Sequence, residues 1–244
     1  MKSILITGAS SGIGKTTAEA FLEQGWTVGM IARRGEVLMD VAKRNKHAVA
    51  LPVDVTDAAG MKAAVERFVS FTGRIDVLFN NAGTFGPSGE IDSVDLDEFD
   101  HVLNVNVRGM FIAAQLAYAQ MKSQNPKGGR IINNGSLSAH SPRPGSVCYT
   151  TSKHAITGLT RSLALDGRAH DITTSQIDIG NARTEMVADL NARAQAENPD
   201  AEVMPSMDPQ DAARLVLHMA ELPAEANVQF MTVMASKMPF MGRG

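Results

Sequence analysis

Thr7-Gly8-Ala9-Ser10-Ser11-Gly12-Ile13-Gly14 stands directly behind an apolar, β-prone run, Ser3-Ile4-Leu5-Ile6. It stands directly before residues 15–24, whose helical periodicity puts Ala18, Phe21 and Leu22 on one apolar face. Glycine permits positive φ and lets a backbone approach a ligand closely. A glycine turn between strand and helix aims free N–H groups and the positive helix end at one spot, which suits a pyrophosphate. The spacing is Gly-x3-Gly-x-Gly. Such a string alone makes no more than a tight turn; its place between strand and helix makes it a dinucleotide-binding signature.

Strand-like and helix-like segments go on alternating. Residues 27–32 read as a second strand and 36–44 as a helix, 48–55 as a third strand and 58–71 as a helix. Residues 75–80 read as a fourth, continuously apolar strand, and 96–123 as one long helix with Gly109 inside it. A fifth strand over 130–133, a long helix over 149–170 and a sixth strand over 173–179 follow. A helix over 209–220, with Pro209 in its first turn, and a seventh strand over 228–234 complete the series. Apolar strands alternating with helices predict an α/β fold. It is one doubly wound, Rossmann-like parallel sheet with helices on both faces, a single domain over 1–244. Its ligand is expected outside the C-terminal ends of the strands. Residues 183–207 are long and irregular for a connector and are predicted to form a substrate lid.

Composition narrows the function. Hydrophobic residues make up 44% of the 244, as in a globular chain. A net charge of −3 gives no general electrostatic case for nucleic acid or an anionic membrane. The apolar runs are too short to span a bilayer. A lone cysteine, Cys148, excludes an intrachain disulfide. The start directly in a strand leaves no room for a signal peptide. A cytoplasmic, soluble protein with no metal is the expectation.

Distinctive groups coincide with the predicted strand ends: Asp54-Val55, then Asn80-Asn81-Ala82-Gly83, then Ser136. Asn106 lies within the first long helix. Tyr149 and Lys153 lie four apart on the second, where one helix face brings a phenol and an ammonium together. Singly, Ser136 reads equally as a turn residue, Asn106 as a helix-kink residue and Tyr149 as a helix-start aromatic. Jointly, and with the glycine loop, they resemble the classical short-chain dehydrogenase/reductase family, from the first strand to about Thr184.

That resemblance implies the roles. Tyr149 would be the general acid/base, Lys153 would lower its pKa and bind the nicotinamide ribose, and Ser136 would bond the substrate oxygen. Asn106 would hold a water linking Lys153 to solvent. Gly8, Ser10, Ser11, Gly12, Ile13 and Gly14 would cradle the pyrophosphate. Asp54, with Val55 beside it, would bond the adenine amino group, although Asp54 also reads as a helix N-cap before Ala58. Asn81, Ala82 and Gly83 would line the cofactor, and Gly180, Ala182 and Thr184 would turn under the nicotinamide amide. A free tyrosine has a pKa near 10, and one cation about 4 Å away at an effective dielectric near 20 supplies the roughly 4 kcal/mol that brings it toward 7.

Cofactor choice is read at the end of the second strand. NAD-specific members place an acidic side chain there; this chain has Ala32 followed by Arg33 and Arg34. The arginines suit a 2′-phosphate, so NADP(H) is expected over NAD(H). The activity implied is interconversion of a carbonyl and an alcohol. The alternatives are a non-catalytic dinucleotide-binding regulator and an NAD(H)-preferring alcohol dehydrogenase. The family also implies a homotetramer or homodimer paired through the two long helices, with Ala113, Ala114, Ala117 and Ala119 as a small-residue face that serves a partner or the sheet. Ile179 stands where the family has proline. Asn134 stands where it has an aliphatic residue and bonds locally or faces substrate. His154 is expected to be partly buried, Cys148 to be a small buried hydrophobe, and Met186, Met204 and Met207 to line the lid's pocket. The apolar segment 238–244 is expected to pack on this or a neighbouring subunit.

Overall fold

Every side chain of β1 (Ser3–Thr7) is buried, and the alternation of its apolar residues sets two cores. Ile4 and Ile6 point to one face of the sheet, Leu5 to the other. The computed structural model describes residues 2–198 and 203–240. Six further strands join β1: β2 (Thr27–Ala32), β3 (Ala48–Pro52), β4 (Val77–Asn80), β5 (Gly129–Asn134), β6 (Ile172–Ile179) and β7 (Phe230–Val233). They form one sheet in the order β3-β2-β1-β4-β5-β6-β7, and every pairing is parallel. The order reverses beside β1, so a crevice opens between the ends of β1 and β4, where open α/β sheets bind ligands. Seven strands and the doubly wound topology agree with the expectation.

The helices are α1 (Gly12–Glu23), α2 (Gly35–Arg44), α3 (Ala58–Thr72), α4 (Leu96–Leu103), α5 (Met110–Ser123), α6 (Val147–Gly167), α7 (Glu185–Glu197) and α8 (Pro209–Glu221). One core packs Phe21 of α1 and Val216 and Met219 of α8 on Ile4, Ile6 and Met30. The other packs Met61 and Phe68 of α3 and Ala113 and Ala117 of α5 on Leu5, Ile31 and Leu78. Phe68 is wholly buried, and a Cβ on Gly29 would meet its ring at 2.7 Å, so β2 carries glycine where the ring crosses it. Phe68→Ala is expected to lower unfolding stability by about 3–5 kcal/mol in chemical denaturation, the cost of an unfilled aromatic site. A loss under about 1 kcal/mol would mean that the core collapses around the gap.

Local departures have local causes. Residues 96–123 are not one α-helix: a π-helical segment, Asn104–Gly109, joins α4 to α5. Such widened turns concentrate at functional sites. Asp57, not Asp54, caps α3, accepting from the Gly60 N–H at 3.0 Å. Asp54 turns back instead on the Thr56 N–H and hydroxyl, at 2.9 and 2.8 Å. Within the 183–207 stretch, expected to be irregular, residues Glu185–Glu197 are helical. Thr184 caps α7 through the Val187 N–H at 3.3 Å, and the Ala-, Glu- and Met-rich sequence that follows is helix-forming.

One open packing alternative is decided and two packing expectations change. Ala113, Ala114 and Ala117 are buried within this chain, so the small face of α5 lets the helix approach the sheet. Met207 belongs to the core. His154 is exposed, its Nδ1 2.9 Å from the Thr150 carbonyl. Cys148 is buried, and burial pushes its thiol up. Among the described residues no helix is long and apolar enough to cross a membrane.

Candidate active site

A cleft of about 580 Å³ runs along the C-terminal ends of the strands. Every site residue expected from the sequence lines it, except Asn106. At its centre the turn after β1 meets the turn after β4. Gly8 has φ +70°, and a Cβ on Gly14 would collide with the Gly8 carbonyl oxygen, so only glycine lets α1 begin this close to β1. The Thr7 hydroxyl accepts the Asn81 and Ala82 N–H groups at 2.8 and 3.0 Å, and Asn81 Nδ2 donates to the Thr7 carbonyl at 2.9 Å. The two loops are thus one unit.

One end of the cleft is basic. Arg33 is largely exposed, its Nη1 4.0 Å from Asp54 Oδ2. Arg34 donates from Nε to Ser10 Oγ at 3.2 Å, and its Nη1 lies 3.6 Å from Glu185 Oε2 at the start of α7. Burial pushes the Asp54 carboxyl up, but the Thr56 bonds and the Arg33 and His101 charges outweigh it and hold it below its usual range.

At the other end stand Ser136, Tyr149 and Lys153. Ser136 follows β5, in extended backbone, and its Oγ accepts the Ser138 N–H at 3.1 Å. Tyr149 and Lys153 share a face of α6, the Lys153 Nζ 5.5 Å from the phenol ring centre. Phe85 packs edge-on against that ring at 4.7 Å. Lys153 is almost wholly buried and donates to the Asn134 carbonyl at 2.8 Å. Burial pushes its ammonium down to about 8, opposed by the Asp178 carboxylate. The phenol departs from the sequence expectation. Burial pushes its pKa up and the Asp178 charge adds to this, against the Ser136 hydrogen bond and the Arg143 charge. Desolvation of the phenolate therefore outweighs its cationic surroundings.

Asn106 lies behind this end, in the π-helical segment. Its Nδ2 donates to the Thr84 carbonyl and to Ser152 Oγ, at 2.8 and 3.0 Å, and its Oδ1 accepts the Thr84 N–H at 2.8 Å. The side chain thus ties the loop after β4 to α6. Asn134 settles as a local link: its Nδ2 donates to Asn81 Oδ1 at 2.9 Å, and its own buried Oδ1 has no partner among the described residues.

Past β6, Ile179 is buried where proline was expected, and the chain continues through a parallel bridge, Ala182 to Met207. The Arg183 N–H bonds the Met207 carbonyl and the Met207 N–H bonds the Asn181 carbonyl, each at 2.9 Å. Both ends of the segment carrying α7 are therefore clamped to each other. Met186, Met238 and Phe240 line the cleft, while Met204 Sδ rests on Arg143 at 3.7 Å. Residues 241–244 of the apolar C-terminal segment lie outside the described residues.

Two residues escaped sequence reasoning. Asp178, near the end of β6, is buried and accepts the Ser136 N–H at 2.9 Å; His140 Nε2 meets its other oxygen at 2.7 Å. The signal was a charged residue in an otherwise uncharged strand, and a histidine four places after Ser136.

A cleft with a tight glycine turn, a basic end and a half-buried phenol beside a buried ammonium can hold a dinucleotide and move one proton beside it. The chain is similar to known proteins. The chain is 36% identical over 189 residues to 2-(R)-hydroxypropyl-CoM dehydrogenase of Xanthobacter autotrophicus, covering 75% of each chain. It is 36% identical over 202 residues to an A-factor type gamma-butyrolactone 1′-reductase of Streptomyces virginiae, covering 81% of this chain and 77% of that one. The crystal structure of 3-ketoacyl-(acyl-carrier-protein) reductase from Brucella melitensis complexed with NADH superposes with a TM-score of 0.86 at 26% identity, over 96% of this chain and 97% of that one. The closed form of serine dehydrogenase complexed with NADP⁺ shares the fold at 22% identity, with a TM-score of 0.86 over 99% and 98% of the two chains. The family model described as short chain dehydrogenase matches residues 2–195, and the chain belongs to that family.

Proposed function

We propose that this protein is an NADP(H)-dependent oxidoreductase that interconverts a carbonyl and an alcohol, with Tyr149 as general acid/base. The carrying observation is one cleft with a glycine turn at its centre, two arginines at one end and Ser136, Tyr149 and Lys153 at the other. The residues fit a dinucleotide on their own terms. Gly8 and Gly14 approach each other too closely for a Cβ on Gly14, so the backbone there is open to a ligand, and the partnerless Asn134 Oδ1 offers an acceptor in the cleft wall. When bound, the nicotinamide supplies or accepts the hydride.

The chain does the rest. Gly8, Ser10, Ser11, Gly12, Ile13 and Gly14 hold the pyrophosphate at the start of α1. Arg33 and Arg34 take the 2′-phosphate, Asp54 and Val55 the adenine, and Lys153 the ribose hydroxyls. Asn81, Ala82 and Gly83 flank the cofactor, and Gly180, Ala182 and Thr184 take its amide. Ser136 donates to the substrate oxygen and steadies it as charge develops. Tyr149 gives that oxygen a proton in reduction and takes one in oxidation. Asn106 shapes the proton path to Lys153 by holding Thr84 against α6. The segment 183–207 acts as lid, the protein is cytoplasmic, and it assembles through α5 and α6, where Phe111 and Leu165 are exposed.

The reading is tested by NADPH turnover against ketones, aldehydes and 3-oxo esters. Oxidation of NADPH with any of them, abolished in Tyr149→Phe, supports it. Tight NADPH binding with no turnover across the panel would favour the non-catalytic regulator.

NAD(H) preference is the second reading, and Glu185 favours it, because its carboxylate already answers the Arg34 charge. Dissociation constants for NADPH and NADH at one ionic strength separate the two. One or two charge-assisted bonds at about 1.5–3 kcal/mol each give NADPH at least about a tenfold advantage. Arg33→Ala should remove most of it and leave NADH unchanged. Tighter NADH binding in the wild type would refute the NADP(H) reading.

A further inference from the structure

Asp178 is 1% exposed, and a carboxylate that deep is stable only when hydrogen-bonded and answered by charge or dipole. Its Oδ1 accepts the backbone N–H of Ser136 at 2.9 Å and Gln176 Nε2 at 2.7 Å. Its Oδ2 meets His140 Nε2 at 2.7 Å. The fold makes room for it: a Cβ on Gly135 would collide with Asp178 Oδ1, so the residue before Ser136 must be glycine. Gln176 is held in turn by the Thr157 and Thr160 hydroxyls, each at 3.1 Å, from the helix that carries Tyr149 and Lys153. His140 closes the 3-10 turn after Ser136, its side chain 42% exposed.

We propose that Asp178 and His140 are positioning residues of the active site: the carboxylate fixes the backbone of Ser136, and the imidazole fixes the carboxylate through a hydrogen bond. This rests on the reading of Ser136 and Tyr149 as the groups that handle substrate.

The Ser136 hydroxyl goes where its backbone goes, and about 1 Å of misplacement costs on the order of a hundredfold in rate. Asp178 anchors that backbone to β6, and His140 ties the anchor to solvent. Asp178 also acts through its charge. The titratable and charged groups around Asp178 are Tyr149 and Lys153 from α6 and His140 from the 3-10 turn, while Arg143, from the loop before α6, acts on Tyr149. Its partner on β7, Thr232, and Gly135 after β5 bring none. The Asp178 charge raises the proton affinity of both Tyr149 and Lys153. Removing a negative charge from such a coupled pair moves both of its proton-release steps to lower pH.

Four forms of the full chain test this: wild type, His140→Ala, His140→Gln, which keeps an N–H donor for the carboxylate, and Asp178→Asn, which keeps an acceptor for Ser136 without the charge. Amide hydrogen exchange at Ser136 should speed up about tenfold or more in His140→Ala and stay near wild type in the other two, with β3 unchanged in all. His140→Ala should lower kcat about tenfold with KM for NADPH within about twofold, and His140→Gln should restore most of the loss. Alcohol oxidation needs the phenolate, so the rise of its rate with pH should come earlier in Asp178→Asn. That variant should hold about threefold more of its plateau rate one unit below the wild-type midpoint. Unchanged exchange at Ser136 in His140→Ala overturns the proposal, whatever the activities. So does an Asp178→Asn profile that superimposes on wild type, an outcome that loss of packing alone would give. A wild type that turns over no substrate refutes the catalytic reading instead, and exchange then decides alone whether His140 and Asp178 hold Ser136.

Discussion

Tyr149→Phe is expected to lower kcat by about a hundredfold or more, roughly 2.7 kcal/mol of transition-state stabilisation, while folding and NADPH affinity stay near wild type. The asymmetry follows from geometry. The ring packs edge-on against Phe85 at 4.7 Å, and phenylalanine keeps that contact. What disappears is the hydroxyl, its hydrogen bond with Ser136, and the one proton placed for the substrate oxygen. Burial holds the phenol above its ordinary value, so the protein arrives at reduction with the proton in place. Single-turnover oxidation of bound NADPH, beside a fluorescence titration of NADPH, measures both halves. Activity within about tenfold of wild type would mean that another group supplies the proton.

Lys153→Met should damage both halves at once, with kcat down about a hundredfold and NADPH bound about tenfold more weakly, because one ammonium serves phenol and ribose. Methionine fills the buried space but leaves the Asn134 carbonyl without its donor at 2.8 Å. The wild type carries a pH signature of the same residue. Burial brings the ammonium down to about 8 against the pull of Asp178, so the cation is present below that pH and lost above it. NADPH affinity should therefore be highest near neutrality and fall as pH rises through about 8. In Lys153→Met it should be flat across that range. A wild-type profile flat to high pH would show that the ammonium does not contribute to cofactor binding.

Much of this was legible in the sequence, because local patterns carry it. β1, the glycine turn and α1 are contiguous, and a strand–turn–helix with glycines at close-approach positions can be built in few ways. The largely apolar strands specified a sheet covered on both faces, and the i, i+4 spacing put Tyr149 and Lys153 on one face of α6. The helical α7 was legible too, in the Thr184 cap and the run of helix formers, but the length of the 183–207 stretch argued for a loop.

What only the tertiary structure decided depends on burial and on residues far apart in the chain. The direction of the Tyr149 pKa is one case: spacing shows that a cation is near, but the desolvation that outweighs it depends on walls built from several loops. Whether the alanines of α5 met the sheet or a partner is another, since small residues permit either approach. Asn106, spent on Thr84 and Ser152, Arg34, reaching Ser10 and Glu185, and Asp178, holding Ser136, are joined to partners 22 to 151 residues away. A sequence gives such pairs no spacing to read. The sheet order brings them together, because strands far apart in the chain end side by side at one edge of the sheet.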